Sequence, residues 1–319
     1  MAGGRGEAGA HVLSWRPVFV YSGPAQPTQI ASMMTAPSDM SAFTLPDIPD
    51  LDIRRVDELP AHLDGATAVN AFVEAMPDRL LIRMPGIGRF LAEEGRRLLM
   101  AGAPGVGDDE LAYFAIRTPL TAVIQQRGEV ALHAACLVPP DGGPALAITG
   151  LSGAGKSLMA GHLLRRGWHF VADEVVRLTV DGDGRPMVWP GTPVLALWPD
   201  TARMLDLNPA ELPPTRPGHS RVLWRTKSVP APVVLGHVVL LDRGEEKDVV
   251  AAMAIDRIRV LATESFRLRQ LRAMGRQAAH MALISRVAAR LRVLSLGAAK
   301  EPPPDQLCAR VMAWMSEAG

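Results

Sequence analysis

Gly150-Leu151-Ser152-Gly153-Ala154-Gly155-Lys156-Ser157 is the stretch on which the reading of this chain turns. Of the 34 basic residues only four are lysine, at 156, 227, 247 and 300, so a chain that otherwise writes positive charge as arginine places its first lysine here. The octet has the form G-x-x-x-x-G-K-[ST]. In that pattern the glycines let the backbone wrap a phosphate, successive N–H groups point inward, the ammonium reaches the β- and γ-phosphates, and the hydroxyl binds Mg²⁺. The planar fork of an arginine does not fit that space. The flanks agree. Residues 145–149 are a short apolar run ending at the first glycine, and Leu158 to Arg166 carries apolar residues at helical spacing until Gly167 closes it. Strand, loop and helix follow in the order a phosphate loop needs, and the helix N-terminus adds its partial positive charge. The alternative is a glycine-rich turn that merely joins a strand to a helix.

With 319 residues and 48% hydrophobic content the chain is long enough for one large domain or two smaller ones. A formal net charge of +1, with arginines interspersed among acids, gives no electrostatic case for nucleic acid or an anionic membrane as partner. Cys136 and Cys308 are the only cysteines, and nothing near them has metal-ligand spacing, so two reduced thiols are expected. No apolar run approaches the ~18 residues of a membrane span, and the start, with Arg5, Glu7 and Arg16, lacks the apolar core of a signal peptide. A cytoplasmic protein is expected.

Residues 1–44 mix Gly, Ala, Pro, Ser and Thr without periodicity and read as a disordered leader or an over-long gene start, with Met33, Met34 and Met40 as alternative initiators. Residues 45–126 read as a small N-terminal α/β subdomain: a strand over 79–84, a turn at Gly86-Ile87-Gly88, one or two short strands within 89–100, and one amphipathic helix over 109–126. Residues 127–319 form the core domain. It should hold a strand over 130–138 carrying His133, the phosphate-loop strand 145–149, and an apolar run 168–172 ending at Asp173-Glu174. A hairpin of 175–180 with 186–189 follows, then a short helix from Trp198-Pro199-Asp200, a Pro-rich loop over 209–217, and a buried strand over 233–241. Mostly helical sequence over 257–290, a strand over 291–296 and a helix over 304–317 complete it. Hairpins interrupting β-α-β alternation predict a mixed sheet.

Neighbouring strands of such a sheet deliver their C-terminal ends to one edge, where ligands bind. His133, the octet and Asp173-Glu174 would then meet, with two carboxylates facing a γ-phosphate. Phosphoryl transfer needs Mg²⁺ held by a hydroxyl and a carboxylate, neutralisation of the transferred group, and an acceptor for the attacking hydroxyl's proton. Arg221, Arg225 and Arg276 could clamp a phosphate or an acidic substrate. Each feature also has a plainer reading: a solvated turn for Asp173/Glu174, a satisfied core or edge histidine for His133, and solvated surface charge for the three arginines. Trp189, Trp198 and Trp224 read as packing.

The run from Leu132-His133 through the octet to Leu163-Leu164-Arg165-Arg166-Gly167-Trp168 and Val171-Ala172-Asp173-Glu174 resembles the HPr serine kinase/phosphorylase family. That family has a His in a strand, a loop of the form G-x-S-G-x-G-K-S, a helix ending in an R-G turn, and then V-A-D-D. The resemblance is specific over about residues 130–178. It extends loosely through Trp189-Pro190-Gly191, Leu197-Trp198-Pro199-Asp200 and Val238 to Gly244, which look like the shorter HPr-kinase-like proteins of ribosomal-peptide clusters, lasso-peptide precursor kinases included. It implies a P-loop kinase domain of the HPr-kinase/phosphoenolpyruvate-carboxykinase type. By position, Gly150, Ser152, Gly153, Ala154, Gly155, Lys156, Ser157 and Leu158 would bind the phosphates of ATP, and Ser157 and Asp173 would hold Mg²⁺. Glu174 would take the place of the proton-accepting Asp, and His133 would stand either behind the groups that touch the nucleotide or on the phosphate side. The chain departs from the family in having Asp-Glu for Asp-Asp, Ala134 for a Gly after the His, and no counterpart of L-E-x-R-G-x-G.

The function expected is therefore ATP-dependent transfer of the γ-phosphate to a serine hydroxyl of a small protein or peptide, with a lasso-type precursor as the leading version. A small-molecule kinase on the same fold and a nucleotide-binding regulator without transfer are the alternatives, and a homo-oligomer is left open.

Overall fold

A computed structural model describes residues 48–216, 218–251, 253–298 and 302–317. The leader expected over residues 1–44 lies outside them. All described residues belong to one unit.

The chain opens on a six-stranded sheet of β1 (Asp52–Arg55), β2 (Thr67–Asn70), β3 (Val73–Ala75), β4 (Arg79–Met84), β5 (Gly88–Glu93) and β6 (Arg97–Gly102), in the order β1-β6-β5-β4-β3-β2. β2 to β6 form an antiparallel meander, and β1 closes the far edge parallel to β6. The hairpin between β4 and β5 needs glycine at 88. Its φ is +151°, and a Cβ there would lie 2.2 Å from the carbonyl oxygen of Ala101. Leu80, Ile82, Phe90 and Leu98 face one core and Leu81 and Leu91 another, the period of two expected of a sheet covered on both faces.

The single helix expected over 109–126 is instead two, α1 (Asp108–Ala115) and α2 (Thr118–Gln126). Pro119 has no N–H to continue the ladder of α1, and Arg117 takes φ −107°, ψ −113° at the break. Nor is α2 amphipathic, since every residue of it is buried. Its polar side chains bind backbone and one another: Gln126 accepts from the Gly95 amide and donates to the Ala92 carbonyl, and Gln125 donates to the Phe266 carbonyl and accepts from Gln270. Such groups are tolerated inside when satisfied.

The second sheet is built from β7 (Val130–Leu132), β8 (Ala134–Val138), β9 (Ala145–Thr149), β10 (His169–Asp173), β11 (Val176–Val180) and β12 (Pro186–Val188), with α3 (Lys156–Arg165) between β9 and β10. A separate two-stranded ribbon, β13 (Val194–Leu197) and β14 (Val222–Arg225), encloses α4 (Pro199–Met204) and the Pro-rich stretch. Then come β15 (Val233–Asp242), β16 (Val249–Val250), α5 (Ala254–Thr263), α6 (Leu268–Ala273), α7 (Gln277–Ala288), β17 (Arg292–Gly297) and α8 (Pro304–Ser316). The order is β10-β8-β9-β15-β12-β11-β7, with β17 also on β15 and β16 on β17. β15 runs parallel to β9 and β17 while the other pairs are antiparallel, so the sheet is mixed, as expected. Along β9, Leu146 and Ile148 face the core under α3 and α8, and Ala145 and Ala147 face the core under α5 and α7.

The strand expected over 130–138 breaks at His133. β7 pairs with β11 and β8 with β9 and β10, so the chain changes partners at this residue. The His133 amide donates to the Glu264 carbonyl at 2.9 Å instead of to a neighbouring strand. Among the described residues no helix is long and apolar enough to cross a membrane.

Candidate phosphate-binding site

β9 delivers the chain to Gly150, whose φ of +133° is open to glycine and whose missing Cβ would lie 2.7 Å from the Leu241 carbonyl oxygen. Gly153 and Gly155 also have positive φ, and α3 starts immediately after Gly155. The Ala154 amide donates to the Leu151 carbonyl across the loop at 3.0 Å, and the Ala154 side chain is buried. Having glycine at its N-cap, α3 starts with no side chain capping its first amides, the arrangement in which an anion can take them. Gly150→Ala should cost at least about 1–3 kcal/mol of stability, because a strained backbone and a backbone collision are combined at one position. Denaturant unfolding of the variant against wild type checks this.

Lys156 Nζ donates to the carbonyls of Gly150 at 2.7 Å and Leu151 at 3.2 Å, so the ammonium lies back over the loop on the loop's own oxygens. Burial lowers its pKa, opposed by Glu264, Asp173 and Glu174. Ser157 and Leu158 occupy the first turn of α3, and Ser152 is exposed on the loop.

β10 and β9 run the same way with β8 reversed between them, and the register pairs Ala134 with Thr149 and Asp173 with Ala135. The C-terminal ends of β9 and β10 and the N-terminal end of β8 therefore share one edge. This brings His133, the glycine loop, Asp173 and Glu174 together. His133 is half-buried and stacks on Phe266 with ring centroids 5.1 Å apart. Burial and the Lys156 ammonium push its pKa down to about 4, so the imidazole is neutral at pH 7. Burial and the Glu174 charge push the Asp173 carboxyl up to about 6, while the amides of Glu174 and Ala196 bond it and Arg221 acts in the opposite sense. Glu174 has a left-handed φ of +70°. Burial raises its pKa, but Arg117 and Arg221 outweigh that and hold it ionised below the usual range. The two guanidiniums lie 3.6 and 3.8 Å from its oxygens.

Of the three arginines weighed from the sequence, Arg221 reaches the site. Arg225 is exposed at the end of β14, and Arg276 donates to the Pro77 carbonyl. Trp189 donates to Thr179 beneath Arg177, Trp224 packs partly buried against the core, and Trp198 stands exposed near Arg221.

Glu264, which the sequence reading did not single out, accepts from the Thr149 hydroxyl at 2.6 Å and the Gly150 amide at 3.2 Å. Thr149 Oγ1 also lies 2.9 Å from the His133 carbonyl. A hydroxyl has one proton, and the shorter, charge-assisted contact to the carboxylate claims it. Glu264, just past the end of α5, thus ties that helix to the first residue of the glycine loop. Its side chain sits in a stretch read only as mostly helical, with no Gly or Pro to mark the bend. Glu264→Ala should destabilise the protein by about 1–3 kcal/mol, the cost of hydrogen bonds to a charged group, and weaken nucleotide binding with it. Thermal melting and a nucleotide titration read the two effects, and unchanged values in both would show that Glu264 does not brace the loop.

Among the described residues no cluster of three or more His, Cys, Asp or Glu side chains is gathered for a metal ion. A nucleotide-bound Mg²⁺ asks for less, one hydroxyl and one carboxylate, the other ligands being phosphate and water. Asp173 fits: it forms no ion pair within 4 Å among the described residues, and burial beside the Glu174 charge disfavours its own charge, which a cation would stabilise. Ser157 follows Lys156 at the start of α3, on the same edge.

In comparison with known proteins, the chain matches no family model, and no curated protein matches it at a significant level.

Proposed function

We propose that this chain is an ATP-dependent kinase of the HPr-kinase-like class, transferring the γ-phosphate of ATP to a serine hydroxyl of a small protein or peptide in the cytoplasm. The observation that carries the reading is the glycine loop with Lys156 at the head of α3, on the sheet edge that also holds Asp173 and Glu174. Two buried free thiols, Cys136 and Cys308, suit a reducing compartment.

In this reading the loop amides and Lys156 hold the phosphates, the ammonium leaving its carbonyl partners for the β- and γ-oxygens. Ser157 and Asp173 would hold Mg²⁺, which would neutralise charge on the phosphates. Glu174 receives the proton of the acceptor hydroxyl. The acceptor oxygen bonds to the γ-phosphorus, and the bond from that phosphorus to the β-phosphate oxygen breaks, releasing ADP. Neutral His133 borders the phosphates without adding charge. The domain is correspondingly proposed to be of the phosphoenolpyruvate-carboxykinase-like P-loop type, with residues 45–126 as an appended α/β subdomain. Titration with Mg·ATP, followed by a search for a phosphoryl mass increment on serine-containing peptides, tests the reading. Failure to bind Mg·ATP would reject it.

A further inference from the structure

We propose that the acceptor carries an anionic group close to its reactive hydroxyl, and that Arg117, Arg221 and Arg267 form the subsite that takes it. The inference rests on the kinase reading above and deepens it.

Three guanidiniums surround a single carboxylate. Arg117 and Arg221 flank Glu174 at 3.6 and 3.8 Å, beyond hydrogen-bond length, and Arg267 lies within electrostatic reach of the same carboxylate. The arginines are held in place by other groups. Arg117 lies 3.7 Å over the Tyr113 ring and donates to the Tyr113 carbonyl. Arg221 lies 5.8 Å over Trp198 and donates to the Ala196 carbonyl at 2.8 Å. Arg267, in a left-handed conformation with φ +58°, lies 4.7 Å over Phe266. Aromatic faces and backbone carbonyls thus fix the forks while leaving donors unused.

Two of those donors are conspicuous. Arg221 Nε is buried with no hydrogen-bond partner among the described residues, which costs free energy unless an acceptor arrives. The Arg267 guanidinium forms neither a hydrogen bond nor an ion pair among the described residues. Nearby Arg216 is excluded from the subsite, since it faces Glu110 at 3.9 Å. A cavity of about 40 Å³, lined by Arg117, Asp173, Glu174 and Gly191 among others, adjoins the cluster. Arg221 lies 3.8 Å from Glu174, which follows Asp173 on the sheet edge that carries the glycine loop, so an anion bound there would lie beside the transferred phosphate.

A carboxylate or a phosphate would satisfy the planar forks equally, since both accept paired N–H donors. The probes separate them: N-acetylserine as carboxylate, glycerol 3-phosphate as phosphate, and N-acetylserinamide as neutral control. They are titrated calorimetrically into full-length Lys156→Ala protein, in which the phosphate loop no longer competes for anions. Saturable binding of at least one anionic probe is expected, weakened roughly tenfold or more by Arg221→Gln and by Arg117→Gln, unchanged by Arg225→Gln, and absent for the amide. Arg221→Lys, which keeps the charge, guards against a folding defect and should bind more weakly than wild-type arginine but better than Gln. Equal binding of acid and amide, anion binding indifferent to both arginines, or no saturable binding of either anion overturns the proposal. A separate Mg·ATP titration of wild type distinguishes the failures. Mg·ATP binding without anion binding rejects only the subsite, and anion binding without Mg·ATP binding rejects the kinase reading.

Discussion

Lys156→Ala is expected to abolish phosphoryl transfer while leaving the fold intact. Among the described residues its hydrogen bonds go to the carbonyls of Gly150 and Leu151 at the surface of the loop, so its loss breaks no strand or helix ladder, and the ammonium lies on the loop where phosphate oxygens would replace those carbonyls. Removing one preorganised donor to developing charge typically costs about 10²–10³ in turnover, and a donor that is also the loop's full positive charge belongs at or above the top of that range. Mg·ATP affinity should fall as well. The measurement is turnover at saturating ATP and Mg²⁺ beside a melting curve. An unchanged melting temperature with turnover lost supports the role, whereas wild-type turnover would remove Lys156 from the chemistry.

The parts of this site that local sequence could announce are those built by one continuous segment. The octet, the strand before it and the helix after it are contiguous, so spacing alone places Gly150 to Leu158, and β9 occupies the expected residues, Ala145–Thr149. Asp173 and Glu174 were legible because an apolar run ends on them, and the hairpin of β11 and β12 because Asp181 to Gly184 turns between two strand-like runs. What escaped reading is assembled across the chain. Glu264 reaches Gly150 over more than a hundred residues, and Arg117 and Arg267 join Arg221, which the sequence did offer as a clamp, from segments with no shared period. Among 34 basic residues nothing local distinguishes Arg117 and Arg267. Strands β1 to β3 escaped for another reason. β1 and β2 lie at the two edges of their sheet with mostly solvent-facing residues, and β3 is only three residues long. The polar residues of α2 suggested a wet face, yet they are buried against the backbone of β5 and the bend at Phe266, which no helical period encodes.

The largest separable effects are expected at the two adjacent carboxylates. Glu174→Gln should slow transfer by about 10²–10⁴, the usual worth of a positioned general base, with Mg·ATP binding retained. Asp173→Asn should act on the metal, weakening Mg·ATP by removing the negative charge that Mg²⁺ would meet. Their environments already differ. Arg117 and Arg221 hold Glu174 ionised, which makes it a weak base as it stands, while Asp173, pushed up to about 6, has no ion-pair partner within 4 Å among the described residues. Protons compete with the metal as pH falls through about 6, so wild-type Mg·ATP affinity should drop there and Asp173→Asn should show no such drop. Turnover of Glu174→Gln with an acidic acceptor, and the pH dependence of Mg·ATP affinity in Asp173→Asn, must be measured on the same preparations. Exchanged phenotypes would reverse the two roles, and two silent substitutions would leave the edge as a nucleotide site without transfer chemistry.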